Sequence, residues 1–141
     1  GAEIAGKVSL GFVDAKGPYA AKLEKSRKET RLSDACLAGR CRIQGVRTVV
    51  ASLDFRFQGG SMGHAVGEKV AIALGTACER DLPCVVFSAS GGARMHEGAL
   101  SLMQLSKTAA AIHRFKERRR KPYVSVLTNP TTGGAKASWP R

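Results

Sequence analysis

Pro83-Cys84-Val85-Val86-Phe87-Ser88-Ala89-Ser90-Gly91-Gly92-Ala93-Arg94-Met95-His96-Glu97-Gly98 is the stretch where a short apolar run meets a pair of glycines. Residues 83–87 read as a buried strand, bounded by a proline and a cluster of small residues. The apolar-periodic stretch after Gly98 reads as a helix. Strand, glycine turn and helix in that order aim backbone N–H groups at an anion. Two adjacent glycines leave no Cβ to obstruct a ligand that approaches the main chain. A tight turn with no ligand would use the same residues. Two more glycine turns shift the balance toward a site: Gln58-Gly59-Gly60-Ser61-Met62-Gly63 and Thr128-Asn129-Pro130-Thr131-Thr132-Gly133-Gly134.

Outward from this centre, the other elements fall into place. Residues 35–43 and 46–57 read as two strands joined at Gln44-Gly45 as a hairpin, the second rich in β-branched residues. Asp54 reads as a turn former at the strand end. In the following helix Val66, Val70, Leu74 and Ala77 share an apolar face, with Glu68 and Lys69 off it. Asp81-Leu82-Pro83 closes that helix. After the central turn, Leu102, Leu105, Ala109 and Ile112 mark the apolar face of a second helix. It ends in the basic run Arg114, Lys116, Arg118, Arg119, Arg120 and Lys121, which suits either a helix C-terminus or an anion. Residues 122–127 read as another buried-type strand, and a helix is expected to begin near Ala135. Upstream, Pro18 to Thr30 reads as a helix with a solvated charged side. Residues 1–17 show no strong period beyond a possible extended piece at 9–14.

The chain has 141 residues, enough for at most one domain. Its 23 Lys+Arg against 11 Asp+Glu give a formal net charge of +12. That excess predicts affinity for polyanions: nucleic acid such as RNA, phosphorylated cofactors or an acidic partner subunit. No apolar run approaches a membrane span, so no membrane role is expected. The four cysteines (36, 41, 78 and 84) form no CxxC and are too sparse for a disulfide framework. Reduced thiols are expected, which points to a cytosolic or organellar-stroma compartment. No HExxH or paired-carboxylate pattern appears, and no metal is expected.

Three strand–turn–helix units imply layered ββα or βαβ elements with their turns on one side. Glycine turns on neighbouring units can each offer an N–H to one oxygen, an oxyanion hole suited to an enolate or a tetrahedral intermediate. No catalytic triad accompanies it. Ser88-Ala89-Ser90-Gly91-Gly92 lacks the first glycine of a nucleophile elbow. His64, His96 and His113 are the available bases, and none is tied to Ser90 by the sequence.

The motifs Gly59-Gly60-Ser61-Met62-Gly63 with Val66-Gly67-Glu68-Lys69, Ser88–Met95 with Glu97-Gly98, Ser101-Leu102-Met103-Gln104 and Pro130–Gly134 resemble the carboxyltransferase β subunit of bacterial or plastid acetyl-CoA carboxylase. Asp14, Tyr19, Asp34-Ala35, Gly39, Gly45 and Asp54-Phe55 also match that pattern, so the resemblance covers residues 12–138. It implies an α/β crotonase-like spiral of ββα units, truncated, with residues 1–141 forming a partial carboxyltransferase domain. It implies transfer of a carboxyl group from carboxybiotin, borne by a biotin carboxyl carrier protein, to acetyl-CoA, giving malonyl-CoA for fatty acid synthesis. Gly91, Gly92, Gly133 and Gly134 would hold the thioester enolate oxygen. Gly59, Gly60, Ser61, Met62, Gly63, Ser90, Ala93 and Arg94 would contact substrate, and basic residues would seat the CoA phosphates. A carboxyltransferase α subunit would complete a hetero-oligomer in the cytoplasm or plastid stroma.

The chain departs from the family in lacking a zinc ribbon before residue 12 and in carrying His96 where Gln is usual and Leu105 where Met is usual. Rival readings are a malonate decarboxylase subunit or a propionyl-type carboxyltransferase on the same fold. Outside that fold, an RNA-binding module or a non-catalytic docking remnant also accounts for the charge.

Overall fold

Gln44 and Gly45 both take positive φ, 48° and 81°. That is the twist a two-residue turn needs to return a strand beside its neighbour. The hairpin they close is the first pair of a four-stranded sheet in this computed structural model. The structure describes residues 13–14, 17–118 and 121–139. Strand β1 (Val13–Asp14) pairs with β2 (Gly17–Pro18), and helix α1 (Tyr19–Thr30) follows. Residues 9–12 of the expected extended piece lie outside the described residues, as do Arg119 and Arg120 of the basic run.

β3 (Cys36–Ile43) and β4 (Val46–Leu53) form the hairpin, with Arg42 opposite Arg47. Then come α2 (His64–Glu79), β5 (Cys84–Ser90), α3 (Ala99–Glu117), β6 (Tyr123–Thr131) and α4 (Gly133–Ser138). The sheet order is β3-β4-β5-β6, antiparallel in the first pair and parallel in the next two. Parallel neighbours need crossovers, and α2 and α3 supply them. Each glycine turn therefore leaves the C-terminal end of β4, β5 or β6, and all three gather at one end of the sheet. The core packs Val66, Val70, Leu74 and Ala77 of α2 against Val49, Ala51, Val86, Ile112 and Phe115.

Four expectations about the elements change. Lys69 is buried rather than solvated, because its ammonium donates to Ser33 Oγ (2.9 Å) and the Cys36 carbonyl (3.0 Å). The inward face of α3 is Ser101, Gln104, Thr108, Ile112 and Phe115, while Leu102 is 58% exposed. Polar residues can occupy that face because they bond their own helix: Ser101 Oγ to the Gly98 carbonyl and Thr108 Oγ1 to that of Gln104. β6 is an edge strand with Val124 and Leu127 exposed, not a buried one. The last helix begins at Gly133, inside the glycine pair, rather than near Ala135.

Candidate active site

Main-chain hydrogen bonds stitch the three turns together. Gly91 N–H donates to the Gly59 carbonyl at 2.8 Å, and Met62 N–H to that of Gly92 at 2.8 Å. Arg94 N–H returns to the Met62 carbonyl at 2.9 Å, and Thr132 N–H reaches that of Ser90 at 2.9 Å. Ser88 and Ser90 lie in β5 itself, so the turn proper starts at Gly91. Ser90 is buried, and its Oγ accepts from Gly92 N–H at 3.1 Å. It is a turn brace with no histidine at hand.

The two glycine pairs face each other. A Cβ added at Gly92 would stand 3.9 Å from Gly134 N, and one at Gly133 would stand 3.8 Å from Gly92 Cα. Both residues hold positive φ, 113° and 52°, where side chains are strained. A Cβ on Gly60 would collide with the Ala89 carbonyl, and one on Gly63 with the Glu97 carboxylate. The glycines of the first turn thus let segments pack. Gly91 and Gly133 are exposed and Gly92 is buried between them.

The amides of the central turn are not equivalent. Those of Gly91 and Gly92 are engaged by Gly59 and Ser90. Ala93 N–H has no hydrogen-bond partner among the described residues. The bridge to Met62 uses the Gly92 carbonyl and Arg94 N–H on either side of it. It lies on the side of Gly134, whose added Cβ would be 3.9 Å away. The available donor on this turn is one residue later than the glycine pair implied.

Arg94 is not at the surface. Its side chain is 1% exposed, with Nη2 to Asp34 Oδ1 at 2.6 Å and Nη1 to Asp34 Oδ2 at 2.8 Å. Nη1 also meets Glu97 Oε1 at 3.1 Å, and Nε and Nη2 donate to Ser61 Oγ (3.1 Å) and Ser61 O (2.8 Å). The guanidinium lies 5.6 Å from the Phe57 ring centroid. Burial works against its charge, but Asp34, helped by Tyr19 and Glu97, outweighs burial and raises its pKa. Arg94 therefore ties turns together and offers no free donor to substrate. Met62 is fully buried as well, and contributes backbone.

Glu97 completes this cluster. Its Oε1 accepts from Tyr19 Oη at 2.6 Å and its Oε2 from His64 N–H at 2.5 Å, so it caps the first turn of α2 from a distant segment. Burial pushes the Tyr19 phenol well above its ordinary range, with Arg94 pulling the other way. His96 stacks on Tyr19 at 5.3 Å, with Lys22 Nζ 3.4 Å from its Nε2. The sequence flagged Asp34, Tyr19 and Glu97 only as matching positions. The signal available for them was three acidic or phenolic residues needing a partner, and Arg94 is that partner. Asp54 behaves as the turn former expected: it receives Arg56 N–H at 2.9 Å, and the Arg56 hydrogen bonds hold its carboxyl below the usual range.

Clefts of the fold lie elsewhere. One of about 410 Å³ is lined by Cys78, Leu82, Phe115, Arg118 and Lys121, and one of about 730 Å³ by Arg40, Arg42, Arg47 and Arg80. Among the described residues, no cluster of three His, Cys, Asp or Glu could hold a metal, and no helix is long and apolar enough to cross a membrane.

Residues 11–138 match the carboxyl transferase domain family. The chain is 50% identical over 137 residues to the acetyl-coenzyme A carboxylase carboxyl transferase subunit beta of Opitutus terrae, covering 97% of this chain and 46% of that protein. It is 52% identical over 130 residues to the Thermus thermophilus subunit beta, covering 92% and 45%. The chain thus spans about half the length of the relatives it matches. Among solved structures, transcarboxylase 12S with hydrolysed methylmalonyl-coenzyme A aligns at TM-score 0.70 and 32% identity, over 76% of this chain and 20% of that one. A Pseudomonas malonate decarboxylase hetero-dimer aligns at TM-score 0.64 and 32% identity, over 73% and 47%. The crotonase-like ββα arrangement, the apposed glycine turns and these matches agree: the chain belongs to the carboxyl transferase domain family.

Proposed function

We propose that this chain supplies the acyl-CoA enolate site of an acetyl-CoA carboxylase carboxyltransferase, as its β subunit. The observation that carries the reading is the apposition of Gly92-Ala93 and Gly133-Gly134 across the ends of β5 and β6. Such a backbone cradle accepts an oxygen where side chains would fill the space, and fixed N–H donors stabilise charge as it develops there. In this reading Ala93 N–H and Gly133 N–H, at the start of α4, hold the thioester oxygen as acetyl-CoA loses its methyl proton. Gly91 and Gly92 shape the cradle, and Gly133 keeps it open. Gly59, Gly60, Ser61, Met62, Gly63, Ser90 and Arg94 serve by fixing the turns around it. Carboxybiotin, brought by a carrier protein, would supply both the carboxyl group and a basic nitrogen, which accounts for a site built without a side-chain nucleophile.

An α subunit and a hetero-oligomeric assembly belong to the same proposal, supported by the subunit names of the relatives and the hetero-dimeric malonate decarboxylase. A cytoplasmic or stromal setting is supported by the four free cysteines. The test is carboxyl transfer between malonyl-CoA and biotin, with this chain assembled with an α subunit. Gly133→Ala, strained at φ 52°, is expected to displace the facing amides and lower kcat by about 10²–10³, with a loss of about 1–2 kcal/mol in unfolding free energy that still leaves the protein folded under assay conditions. Undiminished turnover in Gly133→Ala would sink the backbone-cradle reading, and preference for longer acyl-CoAs would redirect it to a propionyl-type enzyme.

A further inference from the structure

The 730 Å³ cleft at the opposite end of the sheet is lined by Arg40, Cys41, Arg42, Arg47, Thr48, Arg80 and Leu82. Arg47 is the second residue of β4 and the first glycine turn follows the end of that strand, so about 20 Å of strand separates the two places. Residues 35–53 contain three arginines and no acidic residue. Among the described residues, none of the four arginines reaches a carboxylate. The hairpin register sets Arg42 directly opposite Arg47. Side chains so placed share a face with their Cβ atoms about 5 Å apart, and like charges there destabilise a sheet. Arg40 is two residues from Arg42 and lies on the same face.

Local roles account for part of this. Arg42 Nη1 donates to the Gly45 carbonyl at 3.2 Å, Arg80 is the C-cap of α2, and charge on edge strand β3 deters strand pairing. None of these needs Arg47 facing Arg42, nor four guanidinium groups around one hollow without a counter-charge. We infer that this hollow is a binding site for an oligophosphate-bearing small molecule, separate from the glycine turns. Guanidinium forks match phosphate oxygens in pairs, and an anion held between Arg42 and Arg47 turns their repulsion into attraction. The volume falls in the range of small-ligand sites, and Leu82 gives one apolar wall for the carrier of the phosphates. The inference does not rest on carboxyl transfer.

The test is calorimetric titration of the chain with tripolyphosphate at low and physiological ionic strength. Saturable one-site binding is expected, weakened by about tenfold or more in Arg42→Gln/Arg47→Gln and in Arg80→Gln. Lys25→Gln/Lys28→Gln on α1 removes the same charge and is expected to weaken it by less than about twofold. The double arginine variant should unfold at the same temperature as the parent or higher, since a like-charge pair is gone. Displacement by ATP and not by CoA assigns the site to nucleotide phosphates, and the reverse assigns it to CoA phosphates; either upholds it. Equal weakening by the lysine and arginine variants overturns it, since net charge alone then explains binding. So does tighter binding of a single-stranded RNA that tripolyphosphate fails to displace.

Discussion

Truncating Arg94 would leave Asp34 and Glu97 as carboxylates buried without their cation. Removing one partner from a buried pair costs about 3–5 kcal/mol, far more than the pair's net worth. Arg94→Met is therefore expected to lose about that much unfolding free energy in urea, and Arg94→Lys should recover only part, because a single ammonium cannot serve Asp34 and Ser61 together. A loss under about 1 kcal/mol would show that the cluster is not holding the turns. The sequence places Arg94 next to a glycine pair in a cationic chain, which makes it look like a ligand contact. Its partner Asp34 lies 60 residues away, a distance no local pattern bridges. The glycines themselves were legible, since their spacing after apolar runs marks strand-to-helix turns. Which amide each turn leaves available was not, because it depends on Gly59 and Ser90 as acceptors.

At the scale of elements, the hairpin and the two crossover helices could be read from turn residues and periodicity. The turn also holds strain: Gln44 takes φ 48°, as Gln58 does, a region that non-glycine residues enter at a cost but Asn tolerates. Gln44→Asn is expected to raise stability by about 0.5 kcal/mol, seen as a higher urea midpoint with an unchanged slope. An unchanged or lowered midpoint would mean that the Gln side chain stabilises the turn in a way its backbone angle does not reveal. On helix α3 the expected face holds at Ile112, which is in the core, and at Leu105, which packs against it, and fails at Leu102 for a definite reason. Two stripes at helical spacing run along it, and the apolar one, with Leu102, is the more conspicuous. The polar one is buried because the Ser101 and Thr108 hydroxyls and the Gln104 amide nitrogen donate to carbonyls of their own helix, Gln104 to that of Leu100, although Gln104 Oε1 is buried without a partner. Hydrophobicity alone cannot rank such stripes. The same holds for Lys69, whose burial follows from acceptors at Ser33 and at Cys36, the first residue of β3.

For the molecule as a whole, the thiols report on packing. Burial pushes Cys36 and Cys84 up to about 12 from an ordinary 9.0. The folded state then keeps protons that the unfolded chain releases, so these thiols make stability fall as pH rises from about 9 toward 12. The slope is at most about 1.4 kcal/mol per thiol per pH unit. Urea unfolding at stepped alkaline pH should show that fall, and it should shrink in Cys36→Ala/Cys84→Ala. In native protein a thiol reagent should modify exposed Cys41 at once and reach Cys36 and Cys84 only on unfolding. Rapid labelling of Cys84 without unfolding would mean the β5 core opens readily.

The main-chain bonds that join the three glycine turns set how such a centre can be dissected. Four of its defining contacts run from N–H to carbonyl, and its open donor belongs to an alanine. A mutational map made by shaving side chains would therefore pass over the reacting centre and light up its scaffold, Arg94 and Asp34 above all. The informative lesions are chemical ones: an ester in place of the Gly92–Ala93 peptide bond, which replaces the Ala93 N–H donor by oxygen, weakens the Gly92 carbonyl that Met62 N–H uses, and leaves every side chain intact.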